Sequence, residues 1–104
     1  MNIVVRRVSD KDCSEIHEWR NDMVTRQMSL NSEIINYENH KAWFYDMLRS
    51  NTHVGLVGEI NSKKIGIVHF KEQNEQVFVS INLNPSFRGV GLSSELLAKS
   101  LKCI

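Results

Sequence analysis

The sequence predicts an α+β fold running strand, helix, helix, three antiparallel strands, helix, within one domain of residues 1–104. Two segments with apolar residues at helical spacing follow a short β-branched strand. Three β-rich segments then succeed one another across short polar turns, the pattern of an antiparallel meander. A turn with two glycines joins the last of these strands to an amphipathic helix.

Ile3 to Val8 is short and rich in β-branched residues, which predicts the first strand. Ser9-Asp10-Lys11-Asp12 sets a hydroxyl at a cap position and a carboxylate three residues on, as in a capping box. Cys13, Ile16, Trp19 and Met23 share one helical face, so a helix is expected from about Asp10 to Asn21. Val24 to Ile34 has no clear period and reads as an irregular or partly helical connection. Tyr37 to Ser50 is the second helix, with Trp43, Phe44, Met47 and Leu48 on its buried face.

His53 to Ile60 is the next strand, and Asn61-Ser62-Lys63 supplies turn residues. Lys64 to Lys71 follows, with Ile65 and Ile67 expected on one face and Val68 and Phe70 on the other. Glu72 to Glu75 is a polar turn. Val77, Val79, Ile81 and Leu83 then alternate cleanly with Phe78, Ser80 and Asn82. Pro85, the sole proline, has no N–H for a ladder and ends that strand. The last helix starts near Gly91 or Leu92, with Leu92, Leu96, Leu97, Leu101 and Ile104 as its apolar stripe and no capping residue after it. No later segment can pair with the strand at 77–83, so its edge is expected to be open, and an open edge invites another strand. This predicts either a truncated domain or a homo-oligomer joined through 77–83.

A hydrophobic content of 41% and a charged content of 24% are ordinary for a soluble domain. A net charge of +1 gives no electrostatic footprint for nucleic acid. Lys63-Lys64 and Arg6-Arg7 read as solvated strand ends. No apolar run is long enough to span a membrane, and no signal-peptide core is present at the N-terminus. Cys13 and Cys103 show no ligand spacing; both are expected to pack as small apolar residues in a reduced, cytoplasmic setting. His17, His53 and His69 lack metal spacing, and no metal is expected.

The segment Asn84-Pro85-Ser86-Phe87-Arg88-Gly89-Val90-Gly91-Leu92-Ser93-Ser94 carries the chemistry. Glycines so placed can converge backbone N–H groups at a helix N-terminus, which makes an anion site. A P-loop needs a Gly-Lys-Ser/Thr ending, and Leu92-Ser93 does not supply one. A dinucleotide fingerprint needs three glycines in a parallel βαβ unit. A plain strand-to-helix turn with positive φ is the remaining structural alternative.

Arg88-Gly89-Val90-Gly91-Leu92-Ser93 resembles the coenzyme A signature of the GNAT acetyltransferases, (Arg/Gln)-x-x-Gly-x-(Gly/Ala). Ser93 departs from it but is small. Ile81-Asn82-Leu83-Asn84-Pro85-Ser86-Phe87 also resembles that family's strand-to-loop segment. The resemblance implies an α+β GNAT-like fold with a mixed, mostly antiparallel sheet, covering about the first two-thirds of a family member. It implies acetyl-CoA as cosubstrate and a primary amine as acceptor. The backbone N–H groups of Arg88, Gly89, Val90, Gly91, Leu92, Ser93 and Ser94 would hold the coenzyme pyrophosphate. The Ile81–Asn82–Leu83 strand would pair with the pantetheine, and an N–H near Leu83 would polarise the thioester carbonyl. The general acid, commonly a tyrosine, and the base would lie beyond Ile104.

Trp19-Arg20-Asn21 and His40-x-x-Trp43-Phe44 resemble the branch acting on the 4-amino group of nucleotide-linked sugars, and also the ribosomal-protein N-terminal branch. The plainer reading is that Trp19 and Trp43 are core anchors, Arg20 and Arg26 solvated or paired, and His40 exposed. His69 and Ser80 are candidates for the acceptor side of the sheet. The rival to an enzyme is a non-catalytic, coenzyme-binding and dimerising fragment.

Overall fold

The computed structural model describes residues 2–28 and 33–103, without the side chains of Val24, Arg26 and Met28. Among the described residues, β1 (Val4–Arg7), β2 (His53–Ile60), β3 (Lys63–Gln73) and β4 (Gln76–Leu83) form one sheet in the order β1-β2-β3-β4. All three pairings are antiparallel. The helices are α1 (Cys13–Asn21), α2 (Met23–Met28), α3 (Tyr37–Arg49) and α4 (Leu92–Leu101). The connection expected to be irregular or partly helical is helical in its first part, as α2, while residues 29–32 and Ile104 lie outside the described residues.

The turns are tighter than the sequence suggests. Asn61-Ser62 and Asn74-Glu75 are two-residue turns with positive φ at all four positions. Such turns match the right-handed twist of a hairpin, so Lys63, Glu72 and Gln73 are drawn into strand pairing.

Each face of the sheet carries its own core. On the α4 side lie Leu56, Ile60, Ile65, Val68 and Phe70 under Leu92 and Leu96. On the other side Val57 and Ile67 meet Cys13, Ile16 and Trp19 of α1 and Phe44 and Met47 of α3. Ile65 therefore does not share a face with Ile67 as alternation predicts. The register slips between Gly58 and Glu59, leaving Ile65 as an extra residue in β3, and such a bulge reverses the side-chain alternation. Met23 is exposed because α1 ends at Asn21 and the chain turns before α2. Leu101 and Cys103 are also exposed, so the apolar stripe of α4 stops at Leu97 and only Cys13 packs in the core.

Arg6 and Lys64 are not solvated strand ends. Both converge on Asp12, which is 1% exposed. Arg6 donates from Nη1 and Nη2 at 2.9 Å each, Lys64 Nζ lies at 2.8 Å, and the Ser9 N–H donates at 2.8 Å. Burial alone would raise the Asp12 carboxyl, but the bonds from Arg6, Lys64 and Ser9 hold it well below the usual range.

Among the described residues no helix is long and apolar enough to cross a membrane, and no group of three potential ligands could hold a metal ion.

Candidate functional site

The edge strand β4 leads straight into the glycine turn. Asn84 fixes the junction: its N–H donates to Ile65 C=O at 2.9 Å and its Nδ2 to Lys64 C=O at 2.9 Å. The β3 bulge thereby positions the start of the loop. Asn84 Oδ1 also accepts from Ser86 N–H, capping the short turn Pro85–Phe87.

The ladder phase decides which backbone groups are free. Asn84 bonds inward, and Gln73 and Gln76 close a two-residue turn. Bonding alternates along an antiparallel strand, so Phe78, Ser80 and Asn82 turn their N–H and C=O toward β3. Val77, Val79, Ile81 and Leu83 turn theirs to the open edge. Of the three strand residues singled out in the sequence, Ile81 and Leu83 have their backbone groups at the open edge. Asn82 offers only its side chain, on the α1/α3 face.

In the turn itself Gly89 has φ +83° and Gly91 φ +75°, values that L side chains rarely adopt. An added Cβ at either glycine would meet no atom within 4 Å, so the turn is open on its outer side. Gly91 is the N-cap of α4 and has no side chain to cap it. The first N–H groups of α4, from Leu92 through Ser94, therefore lack intrahelical acceptors. The N–H groups of Gly89, Val90 and Gly91 make no backbone hydrogen bond among the described residues, whereas Arg88 N–H donates to Pro85 C=O at 3.3 Å. The free donors thus run from Gly89 to Ser94, and this open cradle of N–H groups suits a phosphate.

The Arg88 side chain is engaged by α2 and the residue before it. Its Nη2 donates to Asp22 Oδ2 at 2.6 Å and to Thr25 Oγ1 at 3.0 Å. Asp22 also accepts from Thr25 N–H, so one carboxylate ties the turn to the start of α2. The hydrogen bond from Arg88 is the main reason the Asp22 carboxyl lies below its ordinary value. This clamp joins residues 66 apart in sequence, and no local pattern announces it. An open cleft of about 640 Å³ lies beside it, lined in part by Glu18, Asp22 and Asn84, and it does not reach the glycines.

The α1/α3 face beside β4 holds a cluster of rings. His69 pairs across the ladder with Ser80, and its Nδ1 lies 3.0 Å from His53 Nε2. Trp43 stands against both imidazoles, with centroid distances of 5.5 Å to His69 and 6.0 Å to His53. The Arg20 guanidinium stacks over Trp43 at 4.3 Å. His40 is fully buried, not exposed as the sequence suggests; its Nε2–H donates to Cys13 C=O at 2.8 Å, and its Nδ1 accepts from Arg20 Nη1 at 3.0 Å. Trp19 is a core anchor, as the plainer reading has it. Asn21 brackets Ile35 instead, accepting its N–H at 2.7 Å and donating to its C=O at 2.8 Å.

Burial lowers His40 to about 4, and burial with the nearby His53, Arg20 and Lys71 charges lowers His69 to about 4. Both imidazoles are neutral at pH 7. In the unfolded chain they titrate near 6.5, so below that pH the unfolded state binds the extra protons. Stability is therefore expected to be full above pH 7 and to fall between pH 6.5 and 4, by about 1.4 kcal/mol per pH unit for each histidine. Urea midpoints across this range check it; a profile flat down to pH 5 would contradict the buried, neutral assignment.

The fold has close neighbours among solved structures. A spermidine N-acetyltransferase from Vibrio cholerae, in complex with CoA and spermine, superposes with a TM-score of 0.79 at 19% identity, over 96% of this chain and 62% of that one. An N-acetyltransferase from Staphylococcus aureus Mu50 gives 0.78 at 23%, over 98% and 66%. A putative acetyltransferase from Salmonella typhimurium, with acetyl-CoA, gives 0.74 at 22%, over 98% and 62%. The chain thus spans between 62% and 66% of the length of these neighbours. No curated protein matches it. The sequence profile described as "Acetyltransferase (GNAT) domain" matches residues 2–104, the whole meander and glycine turn included. With that match over almost its full length, the chain belongs to the GNAT acetyltransferase domain family.

Proposed function

We propose that this chain is the coenzyme-binding part of an N-acetyltransferase that moves acetyl from acetyl-CoA to a primary amine. One continuous feature carries the reading: the outward backbone groups of Ile81 and Leu83 lead directly into an open turn and an uncapped helix start. A pantetheine arm, with its two amides, can pair with the β4 edge as an added strand. Its pyrophosphate then meets the N–H groups from Gly89 to Ser94, where the dipole of α4 favours an anion. The outward N–H groups of Ile81 and Leu83 can donate to the thioester carbonyl as charge develops on its oxygen. The neutral amine attacks the carbonyl carbon, the C–S bond breaks with CoA leaving as its thiolate, and the amine proton passes to a base. The exposed thiol of Cys103 suits a reduced, cytoplasmic setting.

The acceptor favoured by Trp19-Arg20-Asn21 and by His40, Trp43 and Phe44 is the 4-amino group of a nucleotide-linked sugar. A protein N-terminus is the rival. Mass spectrometry after incubation of the whole protein with acetyl-CoA and, separately, a nucleotide-linked 4-amino sugar, a free-amine peptide and spermidine tests this. The sugar is expected to be acetylated most. Acetylated peptide alone moves the assignment to the rival, and product from none of the three sinks the enzymatic reading.

The second reading is a coenzyme-binding, self-associating fragment. It is favoured by β4, where Val77 is 61% and Phe78 53% exposed on an unpaired edge. It expects a dimer in sedimentation that CoA dissociates, because both would use the same edge.

A further inference from the structure

Arg20 holds an unusual position. It is partly buried, and burial lowers its guanidinium below the ordinary value. A cation withdrawn from water normally gains a carboxylate partner. Among the described residues no ion pair joins Arg20 to a carboxylate. Its hydrogen bond goes to His40 Nδ1, a neutral nitrogen, because Nε2–H is committed to Cys13 C=O. The stack on Trp43 holds the plane but brings no counter-charge. Among the described residues, the imidazoles of His40 and His69 feel the Arg20 charge, and neither brings a negative charge to it. One of its five N–H donors is engaged in this way, and the rest of the guanidinium fork is unpaired among the described residues.

Its place is also specific. From Arg20 the contacts run to Trp43, from Trp43 to His69, and from His69 across the ladder to Ser80. Ser80 lies between Val79 and Ile81, whose backbones face the open edge. Arg20 is therefore set back from the reacting edge on the α1/α3 face, held in a fixed plane by its stack and its hydrogen bond.

We propose that Arg20 is an anion anchor for the acceptor, taking a phosphate or carboxylate group carried by the amine substrate. A planar fork matches either group by paired N–H···O bonds. The inference rests on the acetyltransferase reading above for the identity of the bound molecule as acceptor. It selects among the acceptors considered there: an anionic amine is favoured, and a polycation such as spermidine is repelled by Arg20.

Isothermal calorimetry with three ligands of one skeleton tests it. These are glucosamine 6-phosphate, glucosaminic acid and glucosamine, with spermidine as a fourth. Glucosamine 6-phosphate or glucosaminic acid is expected to bind at least 10-fold more tightly than glucosamine, and whichever does so identifies the anion as phosphate or carboxylate. Arg20→Gln is expected to reduce that preference to within about 2-fold, and Arg20→Lys, which keeps the charge without the planar fork, to keep only part of it. If Arg20→Gln does not fold, Arg20→Lys and the loss of the preference in high salt give the same answer. Equal affinities, no binding by either anionic ligand, spermidine as the tightest ligand, or a preference that survives Arg20→Gln would each overturn the proposal. Binding is read without turnover, so failure of acetyl transfer and failure of the anion site are seen separately.

Discussion

Gly91→Val is expected to weaken binding of CoA about 100-fold or more while the domain stays folded. Gly91 sits at φ +75° and ψ +20°, where a β-branched residue is strained by about 1–2 kcal/mol. An added Cβ meets nothing within 4 Å, so the strained backbone is the main cost to stability. Affinity carries a second cost. The side chain would stand on the open side of the turn, where backbone N–H groups must come within hydrogen-bond range of phosphate oxygens. A 100-fold loss is about 2.7 kcal/mol, comparable to losing one or two charge-assisted hydrogen bonds. Gly91→Ala shares the strain but obstructs less, and a loss of about 10-fold is expected. Calorimetry with CoA, beside a thermal melt of each variant, checks both numbers. Unchanged affinity in Gly91→Val would remove the turn from the site.

That turn was legible in the sequence because its requirements are local. Positive φ, small side chains and a helix start all fall within six residues, Arg88 to Ser93. The meander was legible for the same reason, since alternation and turn residues are near neighbours. What escaped the sequence depends on residues far apart or on a change of count. The bulge at Ile65 breaks alternation by one residue, and nothing in Lys64-Ile65-Gly66 marks it in advance. The Arg88–Asp22 clamp links the glycine turn to the start of α2. His40 and Arg20 look like surface residues when each is judged by type, yet each provides the other's hydrogen-bond partner inside the fold. Polar groups become buried in pairs, and a pair across 20 residues has no local signature.

Asp12→Ala is expected to cost about 3 kcal/mol of stability at pH 7. The carboxylate is buried and takes bonds from Arg6, Lys64 and the Ser9 N–H, tying β1, the start of α1 and the β3 bulge together. Removing one member of a buried ionic group costs about 3–5 kcal/mol. The lower end applies here, because the Arg6 and Lys64 side chains are 33% and 22% exposed and water can solvate them once freed. The folded Asp12 carboxyl is held below its unfolded value. Its contribution is therefore present above the unfolded pKa of about 4 and is lost as the pH falls further. The gap between wild type and Asp12→Ala should thus be widest at pH 7, persist at pH 5 and close toward pH 2. The histidine-linked fall between pH 6.5 and 4 should remain in both proteins. Urea midpoints of the two proteins at pH 7, 5 and 3 separate these windows; a difference under about 1 kcal/mol at pH 7 would mean that solvent replaces the whole network. CoA affinity is expected to change only a few-fold in this variant. Asn84 bonds to the main chain of Lys64 and Ile65, so the loop anchor survives loss of the Lys64 side-chain contact. The same experiment therefore distinguishes the residues that hold the fold from the backbone that would hold the ligand.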